Sequence, residues 1–320
     1  MRVSVVMPVR DGERFLREAV ESILGQTIPG LELVVVDDGS TDSTPAILAE
    51  LVTRDDRVRV ERQAAEGLTS ALNTGCALAK APLIARMDAD DVALPDRLER
   101  QLSYLDAHPG VALVAGGIVL VDESGRELDR EPGQARPDLL TRNDIVHPTV
   151  VVRAEALRAL GGYRFDQAED YDLWLRLDER YGIAVLPEPV LCYRLHAGQF
   201  SVAALERQAL GALAVRAAAR ERRAGRPDPL AGVERLDESL VERRELNEAV
   251  VADAVHWAAT LVRAGREAEA GELLDAAAAV PGAPSRSVLA QRAQLLLLKR
   301  AVRQGRVRES AMRLVAWARA

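Results

Sequence analysis

Pro82-Leu83-Ile84-Ala85-Arg86-Met87-Asp88-Ala89-Asp90-Asp91 runs from a short apolar strand into a cluster of carboxylates, and Pro95 and a helix-like segment from Asp96 to Leu105 follow it. Ligands of open α/β sheets sit at the carboxyl ends of strands. Two Asp side chains spaced i, i+2 around such a turn offer hard oxygen ligands to Mg²⁺ or Mn²⁺ and leave positions for phosphate oxygens. Acidic residues ahead of a helix also serve as caps and dipole partners, with Asp91 or Asp96 as the capping oxygen. The rest of the chain decides between these readings.

Upstream, strand-like and helix-like segments alternate at short intervals. Val3–Val9 is β-branched and apolar, and Glu13–Gln26 places Phe15, Leu16, Ala19, Val20, Ile23 and Leu24 at helical spacing. Leu31–Val36 is a second buried-type strand ending at Asp37-Asp38-Gly39-Ser40, after which Thr41 or Asp42 can cap a helix reaching about Thr53. Val58–Val60, a helix over Gly67–Lys80 and a strand over Leu83–Met87 complete the series. Such alternation implies parallel pairing through right-handed crossovers, hence a doubly wound α/β sheet.

Downstream, Val111–Val121 reads as a strand containing Gly116-Gly117, and a loop rich in Gly, Pro and Asp covers 122–138. His147–Arg153 is strand-like, Ala154–Leu160 is a short helix ended by Gly161-Gly162, and Glu169–Tyr181 is helical. Ile183–Leu195 is extended but broken by prolines, which suits an edge or meander. Beyond Ser201 the texture becomes Ala, Leu, Arg and Glu. Helices are expected over 202–224 and 241–320, with Leu246–Ala279 an antiparallel pair turning at Ala264-Gly265-Arg266. The expected division is therefore an α/β domain over 1–201 and a helical C-terminal region over 202–320.

The 320 residues are 48% hydrophobic with a net charge of −7, an ordinary globular balance that argues against broad nucleic-acid binding. Cys76 and Cys192 have neither metal-ligand nor redox spacing and read as free thiols in a reducing compartment. The apolar opening is too short for a secretion signal, and no stretch approaches the roughly 18 apolar residues of a membrane span. The expected location is the cytoplasm.

Pro8-Val9-Arg10-Asp11-Gly12, Asp37-Asp38-Gly39-Ser40 and Asp88-Ala89-Asp90-Asp91 each close a predicted strand, and Glu169-Asp170 opens a later helix. Turns use the same residues, but one ligand crevice explains their recurrence more simply. The segments VSVVMPVRDGERFLREAVESILGQT, LELVVVDDGSTDST, ALNTGCALAKAPLIARMDADDVALPDRLERQ, HPTVVVRAEALRALGGYR, AEDYDLWLRL and YRLHAGQFS occur in order between Val3 and Ser201. Together they resemble the family 2 glycosyltransferases, which have a GT-A fold and transfer sugars from nucleotide donors.

The resemblance implies a role for each matching position. Pro8, Val9 and Arg10 would line the base and ribose, and Asp38 would accept a hydrogen bond from the base, favouring uracil. Asp37 would brace its loop. Asp90 would ligate Mn²⁺ or Mg²⁺ directly, with Asp88 at the metal or the ribose, and Arg86 would meet the diphosphate or orient Asp88. Asp170 would be the catalytic base beside Glu169, in an inverting transfer of a single sugar to a saccharide or lipid-linked acceptor of the cell envelope. Two departures bear on this. Leu72-Asn73 stands where many members carry Arg before the asparagine, which weakens the case for diphosphate contacts from this helix. The Gln-x-x-Arg-Trp pattern of processive synthases is absent, which favours single transfer.

His147 reads either as a structural histidine or as an acceptor-site residue, and His196 lies where family members place a group near the diphosphate or metal. Trp174 is expected in the core, and the paired glycines as backbone punctuation. In the C-terminal segment Val307, Ala311, Leu314 and Ala318 form a helical stripe flanked by Arg306, Arg313, Arg308 and Arg319. That pattern suits either a solvated helix packed on the protein or peripheral contact with anionic lipid.

Overall fold

A computed structural model describes residues 1–135, 137–196 and 202–303. The basic stripe between Arg306 and Arg319 lies outside them. The chain forms two compact units, Met1–Arg194 with Val215–Arg235, and Leu195–Ala214 with Leu236–Ala320. The first is built on β1 (Val3–Val9), α1 (Leu16–Leu24), β2 (Leu31–Asp38), α2 (Thr44–Arg54), β3 (Val58–Gln63), α3 (Leu68–Leu78), β4 (Leu83–Arg86), the two-residue β5 (Val92–Ala93) and α4 (Arg97–Ala107). β6 (Val111–Val121), β7 (Glu127–Glu131), a 3₁₀ turn at His147–Thr149, β8 (Val151–Arg153), α5 (Ala154–Ala159), α6 (Glu169–Asp178) and β9 (Gly182–Arg194) follow.

The sheet order is β3-β2-β1-β4-β8-β6-β9-β5, with β7 paired to β6. β3, β2, β1 and β4 are parallel, as the strand–helix alternation predicts. β8 then runs antiparallel to both β4 and β6, so the sheet is mixed. Every residue of β1 and β2 is buried, the mark of strands covered on both faces. α3 approaches so closely that a Cβ on Gly75 would lie 2.4 Å from Val6 Cγ1. On α1, Leu16, Ala19, Val20 and Ile23 are fully buried. Each large side chain among them contributes roughly 1.5–3 kcal/mol of burial.

Three expectations are corrected. β9 is not an edge strand: it lies between β6 and β5, and its prolines fall where the β6–β9 register slips, from Gly116 opposite Leu186 to Gly117 opposite Pro189. A proline lacks the ladder donor, so a register break is where an interior strand tolerates it. The loop expected at 122–138 contains β7, whose Glu-Leu-Asp-Arg-Glu composition carries little strand signal because it pairs only with β6. His147–Thr149 forms a 3₁₀ turn that shortens the strand read there.

The second unit contains α8 (Arg243–Arg263), α9 (Glu267–Ala278) and α10 (Arg286–Arg303), around Leu246, Val250, Ala254, Ala258, Leu274 and Leu289. α8 and α9 form the expected pair, turning at Gly265 with φ 73°. The residues of α7 (Val202–Arg223) are divided between the two units at Ala214 and Val215. Among the described residues no helix is long and apolar enough to cross a membrane.

Candidate active site

β1, β2 and β4 are parallel and in register, with Val3 beside both Leu31 and Leu83, so their carboxyl ends share one edge of the sheet. Pro8 and Val9 are buried in the last turn of β1, and Arg10 is exposed beyond it. The loops after β1 and β2 are laced together. Asp11, at φ 51°, accepts the Thr41 amide on Oδ1 (2.7 Å) and donates its own amide to Ser40 Oγ (3.0 Å), while the Gly12 amide donates to Thr44 Oγ1 (2.8 Å). Buried Asp37 accepts the Ser40 amide at 2.9 Å and lies 3.4 Å from Arg62 Nε. Asp38 Oδ1 accepts from Gln63 Nε2 (2.8 Å) and the Glu66 amide (2.9 Å), and Oδ2 from the Gly67 amide (3.0 Å). A carboxylate has about four acceptor sites, so Oδ2 keeps one for a further donor.

At the end of β4, buried Arg86 is ion-paired with half-buried Asp88. Asp88, Asp90 and Asp91 each present a carboxylate oxygen within 4.8 Å of the others. Asp91 is 2% exposed, accepts the Arg194 amide on Oδ1 (2.9 Å), and has no hydrogen-bond partner among the described residues for buried Oδ2. Burial, and then the charges of Asp88 and Asp90, push its carboxyl well above the usual carboxylate range. Burial also raises Asp88, against Arg86 and with help from Asp90 and Glu169. Three crowded carboxylates, one of them with a buried oxygen that has no donor among the described residues, fit a divalent cation, whose charge would offset their repulsion. The sequence reading named only two of the three. Asp91 is the addition, hidden because the same residue also reads as a helix cap.

The second group of carboxylates opens α6, after Ala168 at φ 54°. Asp170 Oδ1 accepts the Tyr171 amide (2.6 Å), and Oδ2 accepts from Asn143 Nδ2 (3.1 Å). Burial raises Asp170, Glu169 adds to the rise, and the hydrogen bonds from the Tyr171 amide and Asn143 act against it. Burial likewise raises Glu169, with Arg86 opposing. His147 is buried with Nε2 3.1 Å from the Tyr163 hydroxyl, Nδ1 3.6 Å from Glu169 Oε1, and its ring edge-on to Trp174. Burial, reinforced by Arg86, holds it well below the ordinary histidine value. The ring is therefore neutral near pH 7, and its approach to Glu169 is not an ion pair. Trp174 is fully buried, as expected.

Arg86 ties the two groups together, since it pairs with Asp88 and its charge acts on both Glu169 and His147. Pro8, Val9, Arg10 and Asp38 sit on the same sheet edge. His196 belongs to the second unit, where its carbonyl accepts from Arg266 Nη2 at 3.1 Å. Asn73, which follows the Leu72 standing in place of an Arg, bonds both backbone groups of Tyr163, at 2.9 and 3.0 Å. Buried Arg97, whose Nη2 donates to the Arg86 carbonyl at 2.8 Å, was also missed although it lies in the same segment, and Asn143 was missed because its partner Asp170 lies 27 residues on.

Comparison with known proteins gives one family. The model for glycosyl transferase family 2 matches residues 4–160. WbnJ of Escherichia coli, an O-antigen biosynthesis glycosyltransferase, is 34% identical over 204 residues, 61% of this chain and 80% of its own. EpsE of Bacillus subtilis, also named for glycosyl transfer, is 36% identical over 186 residues, 56% of this chain and 67% of its own. The mannosyltransferase PcManGT from Pyrobaculum calidifontis, solved with GDP-Man and Mn²⁺, superposes with a TM-score of 0.59 at 23% identity, covering 99% of this chain and 86% of that one. Staphylococcus aureus TarS, solved with UDP, gives 0.52 at 17%, covering 100% and 92%. These two structural likenesses show a shared GT-A-type fold.

Proposed function

Because the chain belongs to glycosyl transferase family 2, we propose that it moves a single sugar, with inversion, from a nucleoside-diphosphate donor to a saccharide or lipid-linked saccharide acceptor. The observation that carries the reading is the clustering of Asp88, Asp90 and Asp91 next to buried Arg86, which pairs with Asp88 and whose charge also acts on Glu169, the neighbour of Asp170 in the chain. WbnJ acts in O-antigen biosynthesis, and assembly of a cell-envelope glycan on the cytoplasmic side is the matching setting for this chain.

The family resemblance assigns the roles, and the geometry supports them. Asp88, Asp90 and Asp91 would hold Mg²⁺ or Mn²⁺, which when bound offsets the negative charge building on the leaving diphosphate. Arg86 orients Asp88. Pro8, Val9 and Arg10 form the wall for base and ribose, and the open acceptor site on Asp38 Oδ2 suits the ring N–H of uracil. Asp170 is the general base: the acceptor oxygen bonds to the anomeric carbon, the bond from that carbon to the diphosphate oxygen breaks, and the hydroxyl proton passes to the carboxylate. A single displacement inverts the anomeric centre. The raised affinity of Asp170 for protons suits a group that must take one.

A guanosine donor is the second reading, because PcManGT, bound to GDP-Man, is the more similar of the two neighbours. Thermal shifts with UDP, GDP and dTDP, each with and without Mn²⁺, decide between the two. The best donor is then tested for turnover. Loss of turnover in folded Asp90→Ala and Asp170→Asn variants supports the enzyme. Nucleotide binding without turnover of any donor across an acceptor panel would leave a binding module instead.

A further inference from the structure

β9 ends on Arg194, a side chain only 2% exposed that the sequence reading passed over. Its Nε donates to the Asp90 carbonyl (2.8 Å), Nη1 to the Glu123 carbonyl (3.0 Å) and more weakly to that of Asp122 (3.4 Å), and Nη2 to the Glu18 carboxylate (2.7 Å). The backbone amide donates to Asp91 Oδ1 (2.9 Å), and the guanidinium lies 4.5 Å from the centroid of the Phe15 ring. Taking a guanidinium out of water costs several kcal/mol. That cost is met here by saturating the fork with acceptors from α1, the β6–β7 turn and the acidic turn after β4.

We propose that Arg194 is a positioning residue for the carboxylate triad: by fixing the Asp90 carbonyl and the Asp91 side chain, it sets how Asp88, Asp90 and Asp91 converge and so how tightly they take a divalent cation. This rests on the metal reading given above. Three carboxylates within 4.8 Å repel one another, and all three lie in the short turn between β4 and β5. Arg86 steadies Asp88 from one side. Arg194 binds the other two residues from the far end of β9, 104 residues away, and ties them to α1. Metal sites depend in this way on groups behind the ligands, whose loss typically lowers affinity by roughly 10–100-fold.

The test reads metal binding directly. The full chain is titrated with Mn²⁺ by the EPR signal of the free ion, with UDP present, or GDP if only GDP stabilises the protein. Arg194→Met should raise the half-saturating Mn²⁺ by roughly 10–100-fold. Arg194→Lys, which keeps the charge but not the fork, should recover part of that loss. At saturating Mn²⁺, kcat should return to within a few-fold of wild type, a recovery that a merely misfolded variant would not show. Should Arg194→Met fail to fold, Glu18→Ala, at an exposed partner, gives the same readout with a smaller rise in midpoint. A folded Arg194→Met or Arg194→Lys whose Mn²⁺ midpoint matches wild type overturns the proposal, as does an unchanged midpoint in Glu18→Ala. A wild type that takes up no Mn²⁺ at all would sink the metal reading itself.

Discussion

Asn143 Nδ2 donates to Asp170 Oδ2 at 3.1 Å, joining the loop before the 3₁₀ turn to the first turn of α6. The bond favours the charged carboxylate, against burial and the neighbouring Glu169, which both favour the protonated form. A base must be unprotonated to act, so activity should fall on acidification at a higher pH than for an ordinary carboxylate. Asn143→Ala should move that acid limb of the kcat/KM profile further up. Asp170→Asn should cut kcat by about 10²–10⁴-fold, the usual worth of a positioned base. A profile for Asn143→Ala that overlays wild type would show that the amide does not tune the base.

Gly162 bears on the same region from behind. Its φ of 74° and the 2.6 Å between a built Cβ and Asn73 Oδ1 leave no room for a side chain beside the Asn73–Tyr163 bonds. Gly162→Ala should lose about 1–3 kcal/mol of stability in urea titrations. Gly110→Ala, with nothing within 4 Å of its Cβ, is the control and should differ little from wild type.

The parallel half of the fold was legible because β1, β2 and β4 are apolar runs leading into turns that carry Asp, and α1 after β1 shows a clear apolar stripe. The antiparallel half was not. β7 has a polar composition suited to its outer position, and the prolines of β9 imitate an edge while sitting at a slip in register. The candidate site divides the same way. Asp88, Asp90, Glu169 and Asp170 are visible as motifs. Asp91 lay inside one and passed for a cap, and Asn143 and Arg194 act through partners 27 and 104 residues distant, a separation no local pattern encodes.

Removing the metal, or one ligand, should act on turnover more than on folding. Asp90→Asn removes one of three like charges from a crowded turn, so the fold should persist while a cation is held poorly. If the ion supplies several kcal/mol to the leaving group, each 1.36 kcal/mol being tenfold in rate, kcat falls by two to three orders of magnitude. EDTA should abolish wild-type turnover, and Mn²⁺ should restore it. Full activity in EDTA would mean that Arg86 and the loop amides suffice for the leaving group.

His147 gives a prediction about stability and pH. The ring is buried against Tyr163, Trp174 and Glu169, and burial together with Arg86 holds its folded value well below the ordinary 6.5, while Asp170 opposes this. Above about pH 7 the ring is neutral in both the folded and the unfolded chain and contributes no slope. Below 6.5 the unfolded chain takes up a proton that the folded protein refuses, so this group costs stability as pH falls. The neighbouring carboxyls Asp88 and Glu169, raised by burial, act in the opposite sense, because their protonation on acidification relieves the folded state. The histidine's share is isolated by difference. The melting temperature of His147→Gln should fall less than that of wild type between pH 7 and 5, and the two curves should run parallel above pH 7. Parallel curves over the whole range would mean that the ring titrates normally, with solvent reaching it.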